Sequence, residues 1–301
     1  MKHILKIFVF VLFGFTGYSQ DEMASDSTGL PGDQFSLQGA LELFKNAESP
    51  EAFEKSLNTK ENHVNNLDLN GDDDIDYIKV LSKKDGDVHV FVLQVAVSEN
   101  ENQDVAVLEL EKTGNDVAML QIVGDEDLYG EEVIVEYGDG DDEEMEDGSN
   151  KKGPGVYYPN RPYITVNVWG WPCVRFVYAP AYRPWISPWR WRSYPTWWRP
   201  WRPFGWAVWH PFRAKHFRPG LHIVHRHRAV RAHNIYRSGR VTSVSVRSRH
   251  AGAHANYKVT RTKTKVTGPR GNSMTKKTTT VRGPKGNVRG QKTTIKKSRR
   301  N

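Results

Sequence analysis

Cysteine is almost missing from this sequence: Cys173 stands alone among 301 residues. One thiol cannot close a disulfide within the chain, and no zinc-spaced cysteine set exists. Beyond the first fifteen residues, no run approaches the roughly 20 apolar residues that a membrane-spanning helix needs. The acids end early, since all 35 Asp and Glu fall between Asp21 and Asp147. Arginine and tryptophan are withheld from that same stretch, and all ten tryptophans lie between Trp169 and Trp209. There is no glycine-rich phosphate loop. The acidic part holds two histidines, His63 and His89, and no motif pairs either with a nucleophile, so no enzymatic activity is expected.

What is present is charge, sharply divided. Between residues 21 and 150, seven lysines against 35 acids leave a net −28; residues 151–301 carry 34 Lys and Arg with no acid, +34. The formal +8 of the whole chain conceals both. Such asymmetry points to polyanion or membrane partners. It also lets the halves attract each other, within one chain or between copies, with a strength that falls as salt rises.

Residues 1–19 have the pattern of a signal peptide: Lys2 and Lys6, an apolar run from Ile7 to Phe15, then Gly17 and Ser19 as the small residues of a cleavage site. The expected location is the periplasm, the outer membrane or the exterior, with no transmembrane helix in the mature chain. Residues 20–34 read as a flexible lead. Residues 35–137 read as an acidic α+β domain. Leu37, Leu41 and Phe44 recur at helical spacing, and Ser49-Pro50-Glu51 starts a second helix that presents Phe53 and Leu57. Strand signals cover Tyr77–Leu81, Val88–Val97, Val105–Leu110, Val117–Val123 and Val133–Val135, with turns at Asp85-Gly86 and Gly114-Asn115. The expected fold class is therefore α+β. Two helices lie on one face of an antiparallel meander of four or five strands, followed by a largely extended or disordered basic half. Residues 138–155, acidic and glycine-rich, read as a disordered linker.

The segment Asp68-Leu-Asn70-Gly-Asp72-Asp-Asp74-Ile-Asp76-Tyr77 puts oxygen-bearing side chains at alternate positions. A hard cation takes six or more oxygens from a short loop of this type. The segment resembles the calcium loops of the FG-GAP (VCBS), dockerin and EF-hand families, and like the FG-GAP loops it leads straight into a strand. That resemblance implies Ca²⁺ held by the side chains of Asp68, Asn70, Asp72 and Asp76 and by the carbonyl of Asp74. Lys79 stands where an EF-hand has its bidentate Glu, which argues against a helix–loop–helix switch.

Residues 156–213 form a Trp/Arg/Pro-rich segment with room for one hairpin, Val174–Val177 being the return strand. Proline every few residues excludes a long helix. Interleaved arginine and tryptophan suit phosphate-rich surfaces, where guanidinium grips phosphate and the ring sits at headgroup depth. Arg183, Arg190, Arg192, Trp197, Trp198, Arg199, Trp201 and Arg202 are the candidate anion-binding set. Single-stranded nucleic acid would suit the same chemistry but is a less fitting partner for an exported chain. The alternative is that these aromatics cover the acidic domain or another copy of the chain.

Residues 214–257 are rich in His and Arg. His225 and His227 would share one strand face as two metal ligands could, with Arg226 and Arg228 opposing a cation there. Residues 258–301 read as a flexible basic tail in which Thr264–Asn272 recurs fifteen residues later as Thr279–Asn287. The overall layout resembles secreted proteins of the Bacteroidota that have no assigned activity. The residues behind this are Gly17-Tyr-Ser-Gln20, the Asp68 loop, Gln121–Gly130 and Val166–Trp201. The functional expectation is a non-catalytic exported binding or structural protein of the cell envelope. Its acidic, calcium-binding domain would carry a basic aromatic arm for anionic polymers or lipid headgroups. Self-assembly through acidic-to-basic contacts and an enzyme of unidentified type are the alternatives.

Overall fold

In a computed structural model, residues 27–139, 164–216, 220–267, 273–282 and 288–298 are described. The signal peptide, the start of the lead, the acidic run from 140 and the region 156–163 of the expected hairpin lie outside them. Two capped helices open the described chain. Ser36 Oγ accepts the Gly39 N–H at 3.0 Å and starts α1 (Leu37–Asn46). Ser49 Oγ accepts the Ala52 N–H at 3.1 Å and starts α2 (Pro50–Leu57). Leu37, Leu41, Phe44, Phe53 and Leu57 are all buried.

The chain then runs as an antiparallel meander: β1 (Ile78–Asp85), β2 (Val88–Ala96), β3 (Asn102–Gly114), β4 (Val117–Gly124) and β5 (Val133–Asp139), with a short helix, α3 (Glu126–Tyr129), between β4 and β5. The basic half completes this sheet. β6 (Ile164–Thr165) pairs with the end of β5, and β7 (Leu221–Val224) pairs with Ile134–Tyr137 of β5, giving seven strands. The fold is thus α+β with an antiparallel sheet, and the sheet draws strands from both halves of the chain.

Each face of the sheet is covered. Phe91, Leu93, Leu108, Leu110, Leu120, Ile122 and Val135 face α1 and α2 and the helix α4 (Pro172–Val177). Val88, Val90, Val92, Val107, Val123 and Ile134 face Ala229, Ala232 and Tyr236. The last two of these lie on α6 (Val230–Arg237), which follows α5 (Trp206–Ala214) and precedes α7 (Val244–Arg249) and α8 (Ala251–Asn256). A sheet buried on both faces must be apolar at both parities, as Val88–Val95 is.

The expected return strand Val174–Val177 is instead helical, within α4. Pro172 sits at the first helical position, where its fixed φ favours a helix start. The helix then puts Cys173, Val174 and Val177 into the core together, which outweighs the strand preference of valine. Burial pushes the Cys173 thiol up to about 12, so it behaves as a small buried hydrophobe.

Part of the lead is ordered as well. Asp33 accepts hydrogen bonds from Ser27 Oγ and the Thr28 and Gly29 N–H groups. Its carbonyl accepts the Trp209 indole N–H at 2.8 Å, and its carboxylate lies 3.6 Å from Arg213. Trp209 itself is completely buried. At the far end, β8 (Lys258–Thr267), β9 (Ser273–Arg282) and β10 (Val288–Ser298) form a separate antiparallel meander with β9 central. Successive strands start fifteen residues apart, the period of the sequence repeat. Among the described residues no helix is long and apolar enough to cross a membrane.

Trp209 measures how firmly the basic half is held. Trp209→Ala should lower the urea-unfolding stability of the full chain by about 3–5 kcal/mol. Val244, 72% exposed, should be close to neutral when changed to Ala.

Candidate anion-binding face

Residues 179–213 run over the acidic domain and are fixed at intervals. The Ser82 N–H donates to Trp185 O at 2.7 Å and the Ser187 N–H to Val80 O at 3.1 Å, a short bridge along the β1 edge. Covering an edge strand in this way satisfies groups that would otherwise recruit another chain. Beneath this bridge lies Glu54, only 2% exposed. It accepts four hydrogen bonds: from Tyr77 Oη (2.9 Å), the Val80 N–H (2.8 Å), Trp185 Nε1 (3.0 Å) and Ser187 Oγ (2.9 Å). Burial raises the Glu54 carboxyl and the four donors oppose that rise.

Farther along, Trp198 packs edge-on against Tyr77 at 5.1 Å between ring centres and lies 4.6 Å from Tyr194. The Ile75 N–H donates to Trp201 O at 2.8 Å. Asn66 and Phe204 exchange two hydrogen bonds, at 2.7 and 3.0 Å.

This docking sorts the sequence-predicted anion set. Trp198 is buried at 3% exposure, and Trp201 is half-buried with its carbonyl engaged. Arg183, Arg190, Arg192, Arg199, Arg202 and Trp197 are exposed. None of those five guanidinium groups pairs with a described carboxylate. Arg190 and Ser193 close a tight turn that carries Arg192, with φ at +55°, and the Arg192 guanidinium lies 5.4 Å from the Trp191 ring. Arg199 donates to the Trp198 and Thr196 carbonyls. Trp197 stays 47% exposed beside Lys55, and Ile186, opposite Leu81 at the β1 edge, is 67% exposed. The segment thus turns part of its aromatic surface inward and its arginines outward.

The later arginines behave differently. Glu109, Glu111, Gln121 and Glu136 project from β3, β4 and β5 on the face covered by α6, and all are buried. Arg228 Nε lies 2.9 Å from Glu136, and Arg231 Nε lies 3.3 Å from Glu111. Gln121 accepts the Arg228 and Ala229 N–H groups and donates to Glu136 and to Arg226 O. Arg240 clamps Asp125 with two nitrogens, at 2.6 and 2.9 Å, and also reaches Glu126 and Asp127. Asp104 takes the Val241 N–H at 2.9 Å and the Gln94 amide at 2.8 Å, while its own N–H donates to Val241 O.

The loop from Asp68 turns on two left-handed residues. Gly71 and Asp73 are left-handed, with φ of +77° and +66°; Asp tolerates that conformation better than most residues. The Asp68 carboxylate accepts the N–H groups of Gly71, Asp72 and Asp73. The Asn70 amide bridges Asp72 and Asp76, and Asp74 gives its N–H to Asp72. Ile75 is buried. The basic half reaches this loop too, since Arg249 donates to Leu69 O and its Nε lies 3.4 Å from where a Gly71 Cβ would stand. Among the described residues, Asp68, Asp72 and Asp76 do not bring one oxygen each within 4.8 Å of one another; Glu109, His227 and His233 do bring one ligand atom each to that distance. Sequence reading had paired His225 with His227. The converging partner is His233, one helix further on.

The chain matches no known protein family, and no curated protein or solved structure is similar to it.

Two measurements test these contacts. Burial pushes Asp104 up to about 6, and burial together with the Asp68 and Asp72 charges pushes Asp76 up to about 7. A carboxyl that holds its proton more tightly when folded stabilises the fold fully below its unfolded value near 4. That contribution is lost as the pH rises through the folded value. Urea stability should therefore fall from pH 4 to 7. Asp104→Asn, with the Gln94 amide turned over to match it, should reduce that fall by on the order of 2 kcal/mol. Asp68→Ala removes the acceptor of the Gly71 and Asp73 N–H groups, while the Asp72 N–H keeps Asn70 Oδ1, and should cost about 0.5–1.5 kcal/mol. An equal loss with and without Ca²⁺ marks a turn-stabilising role, and a loss that grows when Ca²⁺ is added marks a bound cation.

Proposed function

We propose that this is a non-catalytic, exported binding protein of the cell envelope that uses residues 183–202 to bind phosphate-rich polymers or lipid headgroups. The observation that carries this reading is the division of the arginines. Arg213, Arg228, Arg231, Arg237, Arg240 and Arg247 lie on carboxylates of the domain, whereas Arg183, Arg190, Arg192, Arg199 and Arg202 are exposed and unpaired with any described carboxylate. A protein that only neutralised its own acidic half would have no need to display them. Exposed Trp197 and Ile186 add apolar contacts suited to the headgroup region. Because the segment is fixed at Glu54, Ile75 and Asn66, binding would order few additional side chains, which favours affinity.

The test uses the full chain and vesicles of neutral lipid with and without an anionic lipid, with lipopolysaccharide and single-stranded DNA as parallel ligands. Binding should require the anionic lipid and weaken as salt rises. Each arginine near an anionic surface contributes about 1 kcal/mol. The variant with Ala at 190, 192, 199 and 202 should therefore bind roughly 100-fold more weakly or worse, with unchanged unfolding stability. Binding that ignores these substitutions would reject the face. Preference for single-stranded DNA over vesicles and lipopolysaccharide would replace the envelope ligand with nucleic acid.

A further inference from the structure

We propose that Glu109, His227 and His233 form a site for a borderline divalent transition-metal ion of the zinc type, which fastens the basic segment onto the sheet. Glu109 is fully buried at the centre of the face covered by α6. Its neighbours in the same row, Glu111 and Glu136, each meet an arginine. Glu109 meets two imidazoles instead. His233 Nδ1 lies 2.8 Å from one carboxylate oxygen, and His227 Nδ1 lies 3.7 Å from the other. At 3.7 Å the second contact is too long for a hydrogen bond. Both Glu109 Oε2 and His227 Nδ1 are buried without a hydrogen-bond partner, facing each other. Leaving two such atoms unsatisfied costs free energy, and a cation between them removes that cost.

The spacing is that of a site an ion could draw together, since one ligand atom from each residue lies within 4.8 Å of the others. Zn–N and Zn–O distances near 2.0–2.1 Å imply ligand atoms roughly 3.3 Å apart, and the observed 2.8 and 3.7 Å separations lie on either side of that value. Imidazole with one carboxylate is a donor set that suits zinc and its first-row neighbours and not calcium. The surroundings also have the form of a metal centre's outer layer. His227 Nε2 lies 3.1 Å from Glu132 Oε2, and Arg237 holds the other oxygen of Glu132 at 2.8 Å. A carboxylate on the far nitrogen of a ligating histidine fixes the ring's tautomer and orientation. The side chains of His227 and His233 are 23% and 11% exposed, which leaves solvent access for a fourth ligand. The three ligands come from β3, from the loop after β7 and from α6, so a bound ion would cross-link the two halves of the chain.

The test titrates full-length protein, freed of metal by chelation, with Zn²⁺ against a chromophoric competitor, and with Co²⁺ read by its visible absorption. The expected result is one ion per chain, a tetrahedral Co²⁺ spectrum and a rise in melting temperature on metal addition. Glu109→Gln and His227→Ala should each weaken binding at least 100-fold and abolish the thermal shift. Glu132→Gln, which leaves every ligand in place, should weaken it by about 10- to 100-fold. His227 is partly exposed, so its variant is expected to keep the wild-type circular dichroism and to separate lost binding from lost folding. The proposal is overturned if no stoichiometric binding occurs, or if binding survives both Glu109→Gln and His227→Ala, which would place the metal on other histidines. Neither result bears on the arginine face.

Discussion

Buried carboxylates on the second face of the sheet commit the acidic half to the basic half. Glu109, Glu111 and Glu136 alternate with Val107, Val123 and Ile134 on that face, and all are shielded from water. An ionised acid in such a place is strongly unfavourable unless it is paired. The partners that meet them are the guanidinium groups of Arg228 and Arg231 and the imidazoles of His227 and His233, brought there by β7 and α6. Removing one partner of a buried pair typically costs 3–5 kcal/mol. The interaction is less a gain in stability than a condition on the fold: without the basic segment, this face would expose valines and stranded acids together.

The opposite face follows more ordinary rules, with leucine, isoleucine and phenylalanine from the strands meeting α1, α2 and α4. The aromatic segment adds a third kind of contact at the sheet edge. There Glu54 collects four donors, two of them from residues 185 and 187. Many of the exposed ion pairs matter little by comparison. Arg237 and Arg247 have side chains more than half exposed, and such pairs contribute about 0–1 kcal/mol each. Arg240 differs, because its bidentate grip on a fully buried Asp125 resembles the strong class of carboxylate contact.

Much of the acidic half was legible from sequence. The Ser49 helix start, the buried helix faces and the hairpin turns follow from local chemistry, and local chemistry is what a sequence displays. The second cover of the sheet was legible in principle. Val88-His-Val-Phe-Val-Leu-Gln-Val95 is apolar at both parities, which is a mark of a strand buried on both faces. Glu109 and Glu111, interrupting one parity of β3, mark where charged partners would be needed. The helix α4 was missed because Cys-Val-Arg-Phe-Val has strand propensity, and burial against α1 overrode it. The Glu109–His227–His233 cluster could not be read from spacing. Its members come from distant parts of the chain, and Arg226 and Arg228 beside His227 argued against any cation there.

By itself the sequence determined the charge division, the helix starts and turns, the strand segments and the absence of a membrane-length helix among the described residues. These depend on composition and on residues a few positions apart. Tertiary structure decided which arginines are paired with the domain and which are displayed. It also turned Trp198 and Trp209 into core residues, left Trp197 outside and brought two histidines to one buried glutamate. Those outcomes depend on strand register and on the path the basic segment takes across the sheet. Such long-range choices arise from burying both faces at once, and no local periodicity encodes them.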